Sequence, residues 1–119
     1  MGRLVMTKVM TVLCTCPGPA EAERLAGGLI ENSLAACVNI LPEIRSIYRW
    51  QGVLNNDGES LMIIKTSRQK YSNVQSWLER HHPYDVPEII ALPIEQGSGA
   101  YLDWVVNETS AMGPENDRQ

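Results

Sequence analysis

Two histidines, three cysteines and ten lysines and arginines among 119 residues leave several kinds of chemistry short of parts. The basic residues are scattered: only Arg68-Gln69-Lys70 and the Arg45/Arg49 pair approach a cluster, and the formal net charge is −4. A nucleic-acid partner held through its phosphates is therefore not expected. No apolar run approaches the ~20 residues of a membrane-spanning helix, so no membrane insertion is expected. The start, Met1 to Lys8, lacks the apolar core and small-residue cleavage site of a secretory leader. The cysteines are odd in number, and a core of this size needs no disulfide staples. Cys14 and Cys16 would face the same side of a strand, and their spacing is not that of a redox Cys-x-x-Cys pair. A soluble, cytoplasmic protein in a reducing compartment is the expectation.

Catalytic signatures are equally sparse. The first strand-turn-helix contains neither Gly-x-Gly-x-x-Gly nor Gly-Lys-Ser/Thr, so no phosphate-binding loop is indicated. Nothing resembles an activated serine or cysteine triad. An enzymatic reading rests on His82 and Glu88 alone, which would pass protons only if their side chains converge.

What the chain does have is 44% apolar content, in a length that suits one compact domain over residues 1–119. The ordered core is expected at about residues 7–108, with a polar, frayed tail over 111–119. Val9 to Cys16, rich in β-branched residues and cysteine, predicts a buried strand. Pro17-Gly18-Pro19 ends it, and Pro19 suits the first turn of a helix over Ala20 to Asn32. There Ala22, Leu25, Ala26, Leu29 and Ile30 recur at threes and fours. Gly27 and Gly28 each cost about 1 kcal/mol of helix propensity, which points to close approach of this helix to a neighbouring strand.

Ala35 to Trp50 predicts a long second strand, with Pro42 marking a bulge or an edge. Asn55-Asn56-Asp57-Gly58 is the strongest turn signal, so Glu59 to Thr66 should return antiparallel to it. Such a ribbon would carry Ile44, Ile47, Tyr48, Trp50, Val53 and Leu54 beyond the body of a small domain, which points to self-association. A helix from Ser67 or Ser72 to about Arg80, a strand over Val86 to Ile94 and a short helix through Tyr101 to Val106 complete the order. Strand-helix-strand twice over predicts an α+β fold, the ferredoxin-like split βαβ sandwich. It has an antiparallel sheet, a long protruding β-hairpin and a short C-terminal helix. The uncovered sheet face would again ask for partners.

Chemistry concentrates in His81-His82-Pro83-Tyr84-Asp85-Val86-Pro87-Glu88, where two prolines force the chain out of the preceding helix. His82, whose backbone is fixed by the following proline, and Glu88 are the first functional candidates; adjacent His81 points elsewhere in most backbone conformations. Imidazole and thiolate together suit copper or zinc, and thiolates favour Cu(I). A second reading is a small-molecule or anion-binding cleft. Lys65 and Arg49 would supply charge there, Tyr84 and Trp50 a flat wall, and Glu88 and Glu59 polar anchors.

The chain resembles the CutA family, named for divalent-cation tolerance. Leu34-Ala35-Ala36-Cys37-Val38-Asn39-Ile40, Ser46-Ile47-Tyr48-Arg49-Trp50-Gln51-Gly52, Ile64-Lys65-Thr66, His82-Pro83-Tyr84-Asp85-Val86-Pro87-Glu88 and Tyr101-Leu102-x-Trp104 carry the likeness in unbroken order. The resemblance implies a homotrimer built through sheets and hairpins, similar in architecture to PII signalling proteins. It also implies a link to copper and other divalent cations; Cu(I)/Cu(II) or Zn(II), with no organic cofactor, is the expectation. It implies Cys14, Cys37, His81 and His82 as candidate metal ligands, with Cys16 incidental or an extra soft ligand. Tyr48, Trp50, Glu59, Lys65, His82, Tyr84 and Glu88 would line an inter-subunit cleft. The expected function is non-catalytic metal binding. The alternatives are a PII-like small-molecule or signalling module with an unidentified partner, and a purely structural interaction protein.

Overall fold

The computed structural model describes residues 6–110. The expected tail over 111–119 lies outside the described residues. Its elements are β1 (Val9–Cys16), α1 (Pro19–Glu31), β2 (Cys37–Trp50), β3 (Val53–Ser67), α2 (Tyr71–His81), β4 (Ile89–Pro93) and α3 (Gly99–Ser110), with a 3-10 turn over Arg68–Lys70. The four strands form one sheet in the order β2-β3-β1-β4, with every neighbouring pair antiparallel. This is the split βαβ arrangement that the order of elements predicts. No helix among the described residues is long and apolar enough to cross a membrane.

Strand parity decides what each face of the sheet does. Val12, Cys14 and Cys16 of β1 and Met62 and Ile64 of β3 point to one side, where they pack with Ala22, Leu25 and Leu29 of α1 and Val74 and Leu78 of α2. Burying each of these leucines contributes roughly 1.5–3 kcal/mol. The alternate residues face the other way. There α3 packs against β3 and β1, and Val9 and Val105 are both buried outside the main core. The rest of that second face stays open: Ile90 and Leu92 of β4, opposite Leu13 and Thr11 of β1, are about half exposed.

β2 is an edge strand, and its register with β3 shifts between Leu41 and Ile44. Pro42 and Glu43 therefore stand against Ser60 alone, whose hydroxyl donates to the Pro42 carbonyl at 2.7 Å. Proline at an edge bulge removes no ladder hydrogen bond that the sheet needs.

Two expectations need correction. The hairpin does not turn at Asn55–Gly58 but at Gln51-Gly52, with φ of 50° and 81°. Two consecutive left-handed residues make the tight turn whose twist matches paired strands. It lets every residue from Ile44 to Trp50 pair with one from Val53 to Glu59. Asn56 and Asp57 serve instead as cross-strand partners of Arg45 and Tyr48. The close approach at Gly28 is to a helix, not a strand: a Cβ there would lie 2.4 Å from the Trp77 indole of α2.

Gly28→Ala should accordingly destabilise the protein by about 1–3 kcal/mol through overpacking. Gly27→Ala, where a Cβ meets nothing within 4 Å, should be neutral or stabilising by up to about 1 kcal/mol. Urea unfolding of the pair checks this; equal effects would remove the Trp77 contact as the cause.

Candidate functional site

α2 ends where Pro83 requires it to. His82 has the extended dihedrals φ −74°, ψ 142° that a residue before proline prefers, while its amide still donates to the Leu78 carbonyl at 2.8 Å. Its ring turns inward and is buried. Nδ1 lies 3.1 Å from the Tyr84 amide nitrogen and Nε2 2.8 Å from the Thr15 carbonyl oxygen. The amide can only donate, so Nδ1 accepts, and Nε2–H donates to Thr15. Both ring nitrogens are thereby engaged.

This anchoring sets the next side chain. Tyr84 tilts against the imidazole with ring centroids 4.9 Å apart, and its hydroxyl donates to Glu59 Oε2 of β3 at 2.7 Å. Desolvation, then the Glu59 carboxylate, push the Tyr84 phenol well above its ordinary value. On the hairpin, Tyr48 donates to Asp57 Oδ2 at 2.5 Å, and that hydrogen bond raises the Tyr48 phenol as well. Both phenols hold their protons and act as donors that orient carboxylates.

Between the hairpin and the His82–Glu88 loop lies a cavity of about 650 Å³. Its walls include the aromatic rings of Tyr48, Trp50 and Tyr84 and the carboxylates of Glu59, Asp85 and Glu88, and no lysine or arginine lines it. Ser46, Tyr48 and Trp50 share the face of the ribbon that Glu59 occupies, because Ile44 pairs with Glu59 and the register then runs unbroken to the turn.

Not every expected residue is there. Lys65 stands at the other end of β3 and hydrogen-bonds Asn39. Arg49 lies on the opposite face of the ribbon from Tyr48 and Trp50. Within one chain, Lys65 and Arg49 therefore do not join the other residues of the expected cleft. Thr15, Ser46, Ile47, Asp85 and Val86 line the cavity unforeseen, and His82 is not in the lining. Asp85 and Val86 lay inside the proline-bounded segment; Thr15 required the β1–β3 register to be known.

The four candidate metal ligands also fail to meet. Cys14 is fully buried on the helix-covered face, with its thiol pushed up to about 12 by burial and then by Cys16. Cys16 is buried as well and its thiol is raised, again chiefly by burial. Cys37 is half-buried on the opposite face, beside Tyr101. His81 stacks on Trp77 at 4.1 Å, with Nδ1 2.8 Å from that residue's carbonyl. Among the described residues, no three His, Cys, Asp or Glu side chains come together to hold a metal ion. A copper or zinc centre built from Cys14, Cys37, His81 and His82 does not fit this arrangement. His82 and Glu88 share no hydrogen bond among the described residues, so the proton-transfer reading lacks its geometry too.

The family model described as "CutA1 divalent ion tolerance protein" matches residues 10–108. The chain belongs to the CutA1 family. It is 46% identical over 98 residues to the divalent-cation tolerance protein CutA of Thermus thermophilus, covering 82% of this chain and 95% of that one. The solved Thermus thermophilus structure superposes with a TM-score of 0.83 at 44% identity, over 85% of this chain and 98% of the other. A CutA homolog of Xenopus laevis is 50% identical over 91 residues, 76% of this chain, which spans 60% of that protein's length. An Archaeoglobus fulgidus CutA structure, described as periplasmic, has a TM-score of 0.82 at 40% identity, over 87% and 99% of the two chains.

For this CutA1 chain, His82→Ala should lower stability by about 1–3 kcal/mol, because the Thr15 carbonyl and Tyr84 amide lose their partner in a buried place. Denaturant midpoints check it, and a change within 0.5 kcal/mol would contradict it. The thiols give a second expectation. Cys14 rises from 9.0 to about 12 on folding, so the stability its burial contributes is whole below pH 9 and is lost as pH climbs from 9 to 12. Cys14→Ala should flatten that loss in pH-dependent unfolding. Iodoacetamide at about pH 8, near the thiol range, should leave Cys14 and Cys16 unmodified until the chain is unfolded.

Proposed function

We propose that this chain acts as a non-catalytic homotrimer of the divalent-cation tolerance type, with the cleft beneath the hairpin as its ligand site. The observation that carries the reading is the lining: three carboxylates and three aromatic rings around about 650 Å³, with no basic side chain. Such a cleft attracts cations, which agrees with the divalent cations in the names of its relatives. Its size falls in the ordinary range of small-molecule sites.

Support for self-association comes from the apolar surface. Ile47, Val53 and Leu54 of the hairpin are 61–68% exposed, and Ile90 and Leu92 of the uncovered sheet face are 51–52% exposed. A monomer would leave both regions in water, whereas patches of this kind mark interfaces. Unpaired thiols at Cys14, Cys16 and Cys37 suit a reducing, cytoplasmic setting.

Light scattering should return three chain masses, and Ile90→Glu on the open face should shift the protein to one. A wild-type monomer would sink the homotrimer. Calorimetric titration of the reduced, chelator-stripped protein with Cu(I), Cu(II) and Zn(II) separates the metal sites. Uptake should be indifferent to His81→Ala and Cys37→Ala, whereas stoichiometric binding weakened tenfold by either would restore the thiol–imidazole centre.

A further inference from the structure

We propose that the cleft takes a small organic cation, an alkylammonium or guanidinium compound, in preference to a bare metal ion or an anion. This rests on the cleft reading above and names its ligand class. The charge of the walls is one-signed. Glu59, Asp85 and Glu88 face the cavity, and none has a basic side chain within 4 Å among the described residues, where the ion pair found is Arg24 with Glu21 on α1. Within one chain, an anion would meet three carboxylates and no basic side chain in this lining.

Thr15 supplies an independent pointer. It is 8% exposed, lines the cavity, and its hydroxyl has no hydrogen-bond partner among the described residues. The Thr15 carbonyl is already engaged by His82, so the side chain alone is left over. A buried hydroxyl without a partner is costly, and a ligand N–H reaching this part of the cleft wall would satisfy it. The sheet fixes Thr15 opposite Leu61 in the β1–β3 ladder, so the hydroxyl is held on the cavity wall.

The distribution of groups then distinguishes an organic cation from a metal. A divalent ion needs several donors at about 2.0–2.6 Å from one point. No three acidic, imidazole or thiol side chains converge that closely among the described residues. The carboxylates instead stand around a wide space faced by Trp50, Tyr48 and Tyr84. Aromatic faces attract ammonium and guanidinium groups through the ring quadrupole. A flexible cation with two charged ends can lay its carbon chain on the rings and reach more than one carboxylate. Tyr84 occupies only Oε2 of Glu59, leaving the other oxygen to accept from such a ligand.

The test is calorimetry on the full, reduced, chelator-stripped protein at low and high ionic strength. Agmatine and 1,4-diaminobutane are the cationic probes; zinc chloride and citrate are the metal and anion probes. Glu88→Gln and Thr15→Val are compared with the parent after thermal midpoint and oligomer mass show that each folds and assembles. One diamine per chain is expected, weakened at least tenfold by Glu88→Gln, weakened also by Thr15→Val, and reduced by salt. Zinc or citrate binding that Glu88→Gln alters, without diamine binding, would overturn the organic-cation inference and leave the cleft reading standing. Diamine binding untouched by both variants would overturn the inference as well. Failure of every probe to bind would overturn both.

Discussion

Leaving α2, the chain turns back toward the sheet at His82, and the imidazole there holds two backbone groups at once. Nε2–H donates to the Thr15 carbonyl at the end of β1, while Nδ1 accepts the amide of Tyr84. The ring thus ties a helix end, a central strand and the start of the β4 approach into one joint. A surface loop in its place would leave Tyr84 without a fixed direction. The Tyr84 hydroxyl could then not be relied on to meet Glu59 across the cleft. The side chain that looks most like a metal ligand in the sequence is spent on architecture, and the cleft exists because it is.

The fold was legible because period and punctuation agree. Apolar alternation marks the strands, threes and fours mark α1 and α2, and Pro42 announces the bulge that the β2–β3 register confirms. The hairpin turn was misread for a definite reason. Asn55 to Gly58 carries the stronger local turn chemistry, but Gln51-Gly52 pairs the ribbon through to Trp50 and Val53 and lets Arg45 and Tyr48 reach Asn56 and Asp57 by diagonal hydrogen bonds. Tertiary pairing outweighed local preference, at the cost of a non-glycine residue, Gln51, at positive φ.

The site was less legible because it depends on register, which composition does not reveal. Cys14 pairs with Met62 and Cys37 with Lys65. Those two β3 partners are an odd number of positions apart, so the thiols lie on opposite faces of the sheet. No side-chain adjustment brings them to one ion. Distance along β3 keeps Lys65 from the cleft although it shares a face with Glu59, and parity sets Thr15 on the cleft side, where nothing in the local sequence marks it as more than a strand threonine.

The cleft also concentrates like charge in a chain that is already acidic, which works against folding unless something offsets it. Two phenols do part of that work. Tyr84 and Tyr48 each donate to a carboxylate; that donation is the chief cause of the raised Tyr48 phenol, whereas for Tyr84 desolvation leads and the donation adds to it. Asp85 and Glu88, by contrast, keep no side-chain donor among the described residues. Both are exposed and solvated, so their missing partners cost little. The buried Thr15 hydroxyl is the group that breaks a local rule without structural gain, and such places are where function is expected. The unpaired carboxylates and the unpartnered Thr15 hydroxyl lie on one concave surface, and the His82 joint holds that surface in shape. Stability given up at one place and rigidity supplied beside it is the arrangement a preorganised binding site requires.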